Sequence, residues 1–280
     1  MKNIQWPIWP KYDSIDKNSI IKVLSSNRIY NGKNVQKFEN SFKNFNKSKY
    51  AVCIGNGTQG LHLALASLNI GDGDEVIVTN FSWISSASCI LMQGATPVFC
   101  DIEQEYFGLD PMQIKKKISS KTKAIIVVHM FGVICKIDEI HDIAKKNNLY
   151  LIEDCSHSHG AKFKKKNSGN FGDMGVFSLH QRKNIPSGEG GVIVTKHKRV
   201  AKKIYQLRSF GAKELSYNYR MSEFSAVLAK NALKKLNKEN EIRNKNASYL
   251  KSKLMKLDCF KFLEPNSDRN CVYYKFIFYF

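Results

Sequence analysis

From Tyr50 onward the chain alternates short apolar, β-branched runs with stretches whose apolar residues recur every three or four positions. This is the pattern of βα units that build a mainly parallel sheet covered by helices. The spacing predicts strands over 51–54, 76–78, 97–100, 124–129, 149–153, 175–179 and 192–195. It predicts helices over 59–68, 85–93, 138–147 and 198–209, and, ahead of the sheet, over 13–27 and 34–45 with a turn at Asn31-Gly32 between them. From Arg220 a polar helix rich in Lys, Asn and Glu is expected to run to about Leu257. The expected fold class is therefore α/β, three layers built on a mostly parallel seven-stranded sheet. Residues 1–220 read as one large domain with an N-terminal arm, and 221–280 as a connecting helix and the start of a smaller C-terminal domain. The apolar segment 271–280 is expected either to pair with a neighbouring strand or to mark a chain that stops early, because an unpaired aromatic strand leaves an exposed edge.

Composition narrows the classes. The 280 residues carry 44 Lys and Arg against 24 Asp and Glu, a formal net charge of +20, with 43% hydrophobic residues. This excludes disordered and disulfide-stapled chains and invites a nucleic-acid or anionic-membrane reading. Only 7 of the 44 cations are Arg, the residue suited to bidentate base and phosphate contacts. Runs such as Lys115-Lys116-Lys117 and Lys164-Lys165-Lys166 have no aromatic residues interleaved to stack bases. The expectation is a solvated Lys surface, with no nucleic-acid and no membrane partner. No stretch approaches the ~18 apolar residues of a membrane span, and residues 1–13 lack an apolar leader core. The seven Cys form no C-x-x-C pair and sit mostly in apolar runs, so they read as reduced packing residues of a cytoplasmic protein.

Candidate chemistry lies where strands end, since ligands of open α/β sheets gather there. After the first strand, Gly55-Asn56-Gly57-Thr58-Gln59-Gly60 opens a helix whose free amides and dipole favour a phosphate. It matches neither G-x-x-x-x-G-K-[ST] nor G-x-G-x-x-G, and alone it also fits a capped strand-to-helix turn. After the second strand, Trp83 is placed either to stack on a planar ligand or to fill core. The strand ending in Glu153-Asp154 offers a carboxylate that can hold a protonated ring nitrogen or cap a helix. His157 and His159 have no further ligand at metal spacing, so no metal is expected. Lys183 lies in a turn between two apolar strands, where it is either an exposed turn residue, the common case, or a nucleophile made reactive by partial desolvation. A phosphate cradle, a flat residue, a carboxylate and a reactive Lys together are what pyridoxal phosphate requires.

The ordered motifs Asn56-Gly57-Thr58, Gly71-Asp72, Gly94-Ala95-Thr96-Pro97, Glu153-Asp154-Cys155-Ser156-His157-Ser158-His159-Gly160, Gly188-Glu189-Gly190-Gly191 and Tyr217-Asn218-Tyr219-Arg220 resemble those of the DegT/DnrJ/EryC1/StrS family. Its members are sugar aminotransferases that use pyridoxal 5'-phosphate on the aspartate-aminotransferase fold (fold type I). The resemblance implies that Lys183 forms the Schiff base and shuttles a proton, and that Asp154 pairs with the pyridinium nitrogen. It implies that Gly57, Thr58 and Gln59 cradle the phosphate with Ser178, that Trp83 stacks on the ring, and that His157 stands near the 3-hydroxyl, where many members have Gln. Asn218 matches an asparagine that reaches the phosphate of the neighbouring subunit, which implies a homodimer with shared active sites. Dehydratase-like members carry His in place of the lysine, so Lys183 favours amino transfer. The implied substrates are an amino-acid donor, glutamate by resemblance, and a keto-sugar acceptor, nucleotide-linked and destined for a surface polysaccharide or glycan precursor. The segment 178–184 also resembles members acting on cyclitol-type ketones. The family continues for roughly another hundred residues into a small C-terminal domain, so a shortened, non-catalytic binding protein is the rival expectation.

Overall fold

In the computed structural model, residues 8–30, 32–211, 215–257 and 259–279 are described. Residues 1–7 of the expected arm and Asn31 of the expected turn lie outside them. Seven strands form the central sheet: β1 (Tyr50–Ile54), β2 (Glu75–Thr79), β3 (Thr96–Cys100), β4 (Thr122–Val128), β5 (Tyr150–Asp154), β8 (Met174–Ser178) and β9 (Gly191–Thr195). Between β5 and β8 lies the short hairpin β6 (Lys162–Phe163) and β7 (Lys166–Asn167). The sheet order is β1-β9-β8-β5-β4-β2-β3, and β9 alone runs against the other six. The carboxyl ends of β1, β2, β4, β5 and β8 therefore share one edge of the sheet, and the loop from β8 to β9 turns back over it.

Helices cover both faces. Against one pack α3 (Gly57–Ser67), α4 (Ser85–Leu91) and α7 (Lys198–Leu207), through Leu61, Leu65, Ile90 and Ile204 on Val76, Val78, Ile126 and Ile193. The other face is shared. Under β2 to β5 lie α5 (Pro111–Lys117) and α6 (Ile137–Lys146), with Ile114, Ile137 and Ile140 on Ile77, Ile125 and Leu151. Under β1, β8 and β9 lie α2 (Lys33–Asn46) and α8 (Glu223–Leu254), with Phe38, Phe42 and Leu236 on Ala51, Val194 and Phe177. Strand alternation sends neighbouring residues to opposite layers, which is why Ile77 and Val78 belong to different cores. The remaining helix, α1 (Ser14–Ser25), packs on α8 and starts with a reciprocal Asp13–Asp16 cap. The first turn of α2 has no side-chain cap of its own; Glu223 supplies it, accepting from the Gly32, Asn34 and Val35 amides at 2.9–3.2 Å.

Beyond α8 the apolar C-terminal segment is not one strand. β10 (Lys261–Phe262) pairs with β12 (Phe278–Tyr279), so the aromatic end finds a partner, while β11 (Arg269–Asn270) adds to β6. Between them, residues 271–275 lie on the large domain, because burial of Cys271 and Val272 and a bond from Val272 N to Gly132 O (2.9 Å) hold them there. Six of the seven cysteines are buried and none is bonded to another. Among the described residues no helix is long and apolar enough to cross a membrane.

Candidate active site

The strand ends converge on a cavity of about 750 Å³. Its lining holds Gly57, Thr58, Trp83, Asp154, His157, Ser178 and Lys183, seven of the residues singled out by sequence, drawn from four strand-end loops. Gln59 and Asn218 are not on it.

Local chemistry explains the cradle. Asn56 caps α3 by accepting from Gln59 N at 2.9 Å, so the Gln59 amide is already used. The Gly57 and Thr58 amides precede it in the first turn, where no helical carbonyl reaches them, and these residues line the cavity. Gly57 has to be glycine: a Cβ would come within 2.8 Å of Ser178 Cβ, so its absence lets the end of β8 close on the helix start. Thr58 Oγ1 is 2.7 Å from Ser85 Oγ at the start of α4. Such a corner of amides and hydroxyls can hold a dianionic phosphate.

Asp154 is 6% exposed and does not cap a helix; its Oδ1 accepts from Ser156 N at 3.0 Å and its Oδ2 from Ser86 Oγ at 3.1 Å. Ser82 Oγ lies 2.9 Å from Ser86 Oγ and extends this chain of hydroxyls. Ser86 was missed by sequence reasoning, since a serine pair at a helix start carries no sign of what it faces. Lys183 lies between Arg182 and the buried Asn184 in the β8–β9 loop. Burial lowers its pKa below the ordinary 10.5; the Asp154 carboxylate opposes that shift and the Lys275 charge reinforces it. His157 is driven to about 3, by burial first and then by the Lys183 and Lys275 charges, so its imidazole is neutral. Its Nδ1 is buried with no hydrogen-bond partner among the described residues. A half-buried amine, a buried carboxylate and an unsatisfied imidazole on one cavity fit a flat heteroaromatic aldehyde bearing a phosphate. Trp83 stands at the rim with 75% of its surface exposed.

Among the lining residues that sequence reasoning did not single out are Tyr274 and Lys275. Tyr274 stacks on His157 (centroids 4.1 Å apart, planes at 19°), and Lys183 Nζ lies 4.8 Å from its ring centre. Ninety positions separate it from that lysine, so no local spacing signals the contact. Asn218 is exposed, and its Oδ1 accepts from Arg220 Nη2 at 2.8 Å. The described residues contain one cluster of metal-ligating groups, His129, Glu153 and Cys155, with ligand atoms within 4.8 Å of one another. Its carboxylate is already full. Glu153 accepts from the Gly169, Phe171 and Gly172 amides at 2.7–2.8 Å and from His129 Nε2 at 2.9 Å. His129 Nδ1 faces the Cys135 amide at 3.4 Å, which leaves its proton on Nε2 toward the carboxylate.

The model of the DegT/DnrJ/EryC1/StrS aminotransferase family matches residues 10–280. GDP-perosamine synthase of Escherichia coli O157:H7 is 39% identical over 228 residues, covering 78% of this chain and 63% of that protein. L-glutamine:2-deoxy-scyllo-inosose aminotransferase of Streptomyces lividus is 34% identical over 270 residues, covering 88% and 64%. The X-ray structure of the aminotransferase from Psychrobacter cryohalolentis superposes with a TM-score of 0.93 at 32% identity, over 96% of this chain and 76% of that one. The chain thus spans less than two thirds of the length of these two relatives.

Proposed function

Because the chain belongs to the DegT/DnrJ/EryC1/StrS aminotransferase family, we propose that it is a pyridoxal-phosphate-dependent aminotransferase that moves an amino group from an amino acid to a keto-sugar. The observation that carries this reading is the meeting of Lys183 and Asp154, a half-buried amine and a buried carboxylate, on one cavity beside the glycine-bearing start of α3. When bound, pyridoxal phosphate supplies the electron sink that lets an amino group pass between an amino acid and a ketone.

The chain's own residues do the rest. Gly57, Thr58 and Ser178 hold the phosphate; Gln59 contributes through the helix start, its own amide being spent on Asn56. Asp154, fixed by Ser86 and the Ser156 amide, keeps a proton on the ring nitrogen. Lys183, favoured as free amine by burial, would be the nucleophile that holds the cofactor, and its Nζ would serve as base toward the donor's α-proton. His157, neutral, would offer its unpartnered ring nitrogen to the cofactor's 3-hydroxyl, and Trp83, at the rim, would cover a ring face. In a homodimer the exposed Asn218 reaches the phosphate of the neighbouring subunit.

In this reading the protein is cytoplasmic, the donor is glutamate, and the acceptor is nucleotide-linked and leads to a surface polysaccharide. The match to an L-glutamine:2-deoxy-scyllo-inosose aminotransferase favours a second reading, a cyclitol-type ketone as acceptor with glutamine as donor. The large domain over 1–220 supplies most of the site, and 221–280 adds the connecting helix and the segment that brings Tyr274 and Lys275 to the cavity. The test is amino transfer by the cofactor-loaded protein, with glutamate or glutamine as donor, to a panel of nucleotide-linked keto-sugars and inososes, read by mass spectrometry. A new amine on one of them, absent with Lys183→Ala, supports the reading; no amine on any acceptor contradicts it.

A further inference from the structure

Residues 269–275 form a strap fastened to the large domain at several points. Arg269 donates to the Ile134 and Cys135 carbonyls at 2.9 and 3.3 Å, and its guanidinium lies over the Tyr106 and Phe163 rings at 4.2 Å. Val272 is 1% exposed, and the Lys275 amide reaches Phe131 O at 3.4 Å. Gly132 has φ +103°, and a Cβ there would come within 2.9 Å of the Tyr273 and Tyr274 amides, so glycine lets the strap lie flat. The positions of Tyr274 and Lys275 on the cavity are therefore set by buried anchors.

Three basic side chains, Arg182, Lys183 and Lys275, share the cavity lining with the Tyr274 ring. Lys183 Nζ is 4.8 Å and Lys275 Nζ 6.0 Å from its centre, and the Arg182 charge is felt at its hydroxyl. Asp154 and Glu189 are the carboxylates on the same lining. The first is held by Ser86 and the Ser156 amide, and the second faces His180 at 3.9 Å. Among the described residues no carboxylate pairs with Arg182 or Lys275. Both are exposed at the cavity, while the amides suited to a cofactor phosphate belong to α3.

We propose that Arg182 and Lys275, on the lining they share with the Tyr274 ring and Lys183, form a second anion subsite that takes a carboxylate or phosphate carried by the substrate. This rests on the aminotransferase reading above. The oxyanion has two sources, the α-carboxylate of the amino donor or the phosphates of a nucleotide-linked acceptor, and both would be met by charge-assisted hydrogen bonds. Lys275 also depresses Lys183, so an anion bound there raises the Lys183 pKa.

The experiment is calorimetric titration with glutarate, a dicarboxylate lacking an amine, and separately with inorganic pyrophosphate. Both are run on the pyridoxal-phosphate-loaded protein, whose cradle is filled, and on the chain without cofactor. Lys275→Gln and Arg182→Gln are expected to weaken at least one probe roughly tenfold or more, Lys275→Arg to restore it, and the unfolding midpoint to stay unchanged. Loss confined to glutarate assigns the subsite to the donor, loss confined to pyrophosphate to the acceptor, and loss of both to a shared site. Unchanged affinities, or no binding of either probe to the parent protein at millimolar concentration, overturn the proposal. Failure of the cofactor reading shows up separately, as a parent protein that does not load, and the titrations without cofactor still decide the subsite.

Discussion

Glu153 and Asp154 are adjacent acids at the end of one strand, yet they do different work. Strand alternation turns them to opposite faces. Glu153 meets three amides and His129, is fully buried, and has no capacity left for a ligand. Asp154 faces the cavity with one backbone amide and one hydroxyl to hold it. A carboxylate whose acceptor sites are all filled by the chain fixes the chain; one with sites to spare beside a cavity is available for chemistry. The same contrast separates His129, hydrogen-bonded through both ring nitrogens, from His157, whose Nδ1 is unsatisfied.

The contrast breaks most visibly at Glu153. Glu153→Ala leaves three amides and an imidazole without their acceptor, which is expected to cost about 3–5 kcal/mol, a large part of the usual stability of about 5–15 kcal/mol, as read by urea unfolding. Asp154→Asn is expected to spare the unfolding midpoint and slow amino-donor turnover by about 10²-fold or more, since a charge aimed at the reacting ring is lost. Should both variants unfold alike, or both fold and fail alike, the division between them is wrong. Gly57→Ala pushes a Cβ onto Ser178; roughly tenfold weaker cofactor binding is expected, in line with about 1–3 kcal/mol for a forced contact, by equilibrium titration. Ser86→Ala removes one bond to Asp154, worth about 1 kcal/mol, and a rate loss of roughly fivefold is expected. The smallest effect concerns pH. His157 titrates near 3, so it is already neutral at working pH, and His157→Gln should leave the pH profile of cofactor attachment unmoved between about pH 5 and 9. The inflection of that profile belongs to Lys183 and falls below 10.5, the free amine gaining as pH rises through the lowered value. An inflection that moves with His157→Gln would assign it to the wrong group.

The sheet was readable because each strand is an apolar run closed by polar or glycine residues, and all seven lie within two residues of the expected bounds at each end. Helix α5 was not anticipated: it is short, and its Lys115-Lys116-Lys117 end reads equally as solvated surface, although Asp110 caps it and Pro111 starts it. The hairpin of β6 and β7 was invisible for the same reason, since two-residue strands carry no period. Within the site, the glycine, acid and lysine signatures led to the cavity, because backbone approach and desolvation restrict which residues can stand there. Gln59 shows the limit: whether a first-turn amide is free depends on its cap, here Asn56. Tyr274 and Lys275 come from a distant strap, and only packing of Val272 and Arg269 places them.

The central claim is that Lys183 is the residue that carries the cofactor. Incubation with pyridoxal phosphate, borohydride reduction and peptide mapping by mass spectrometry tests it directly. The account predicts one stoichiometric adduct on the Lys183 peptide, absent in Lys183→Ala. An adduct on Lys275 instead, or none above the background of surface lysines, would contradict it.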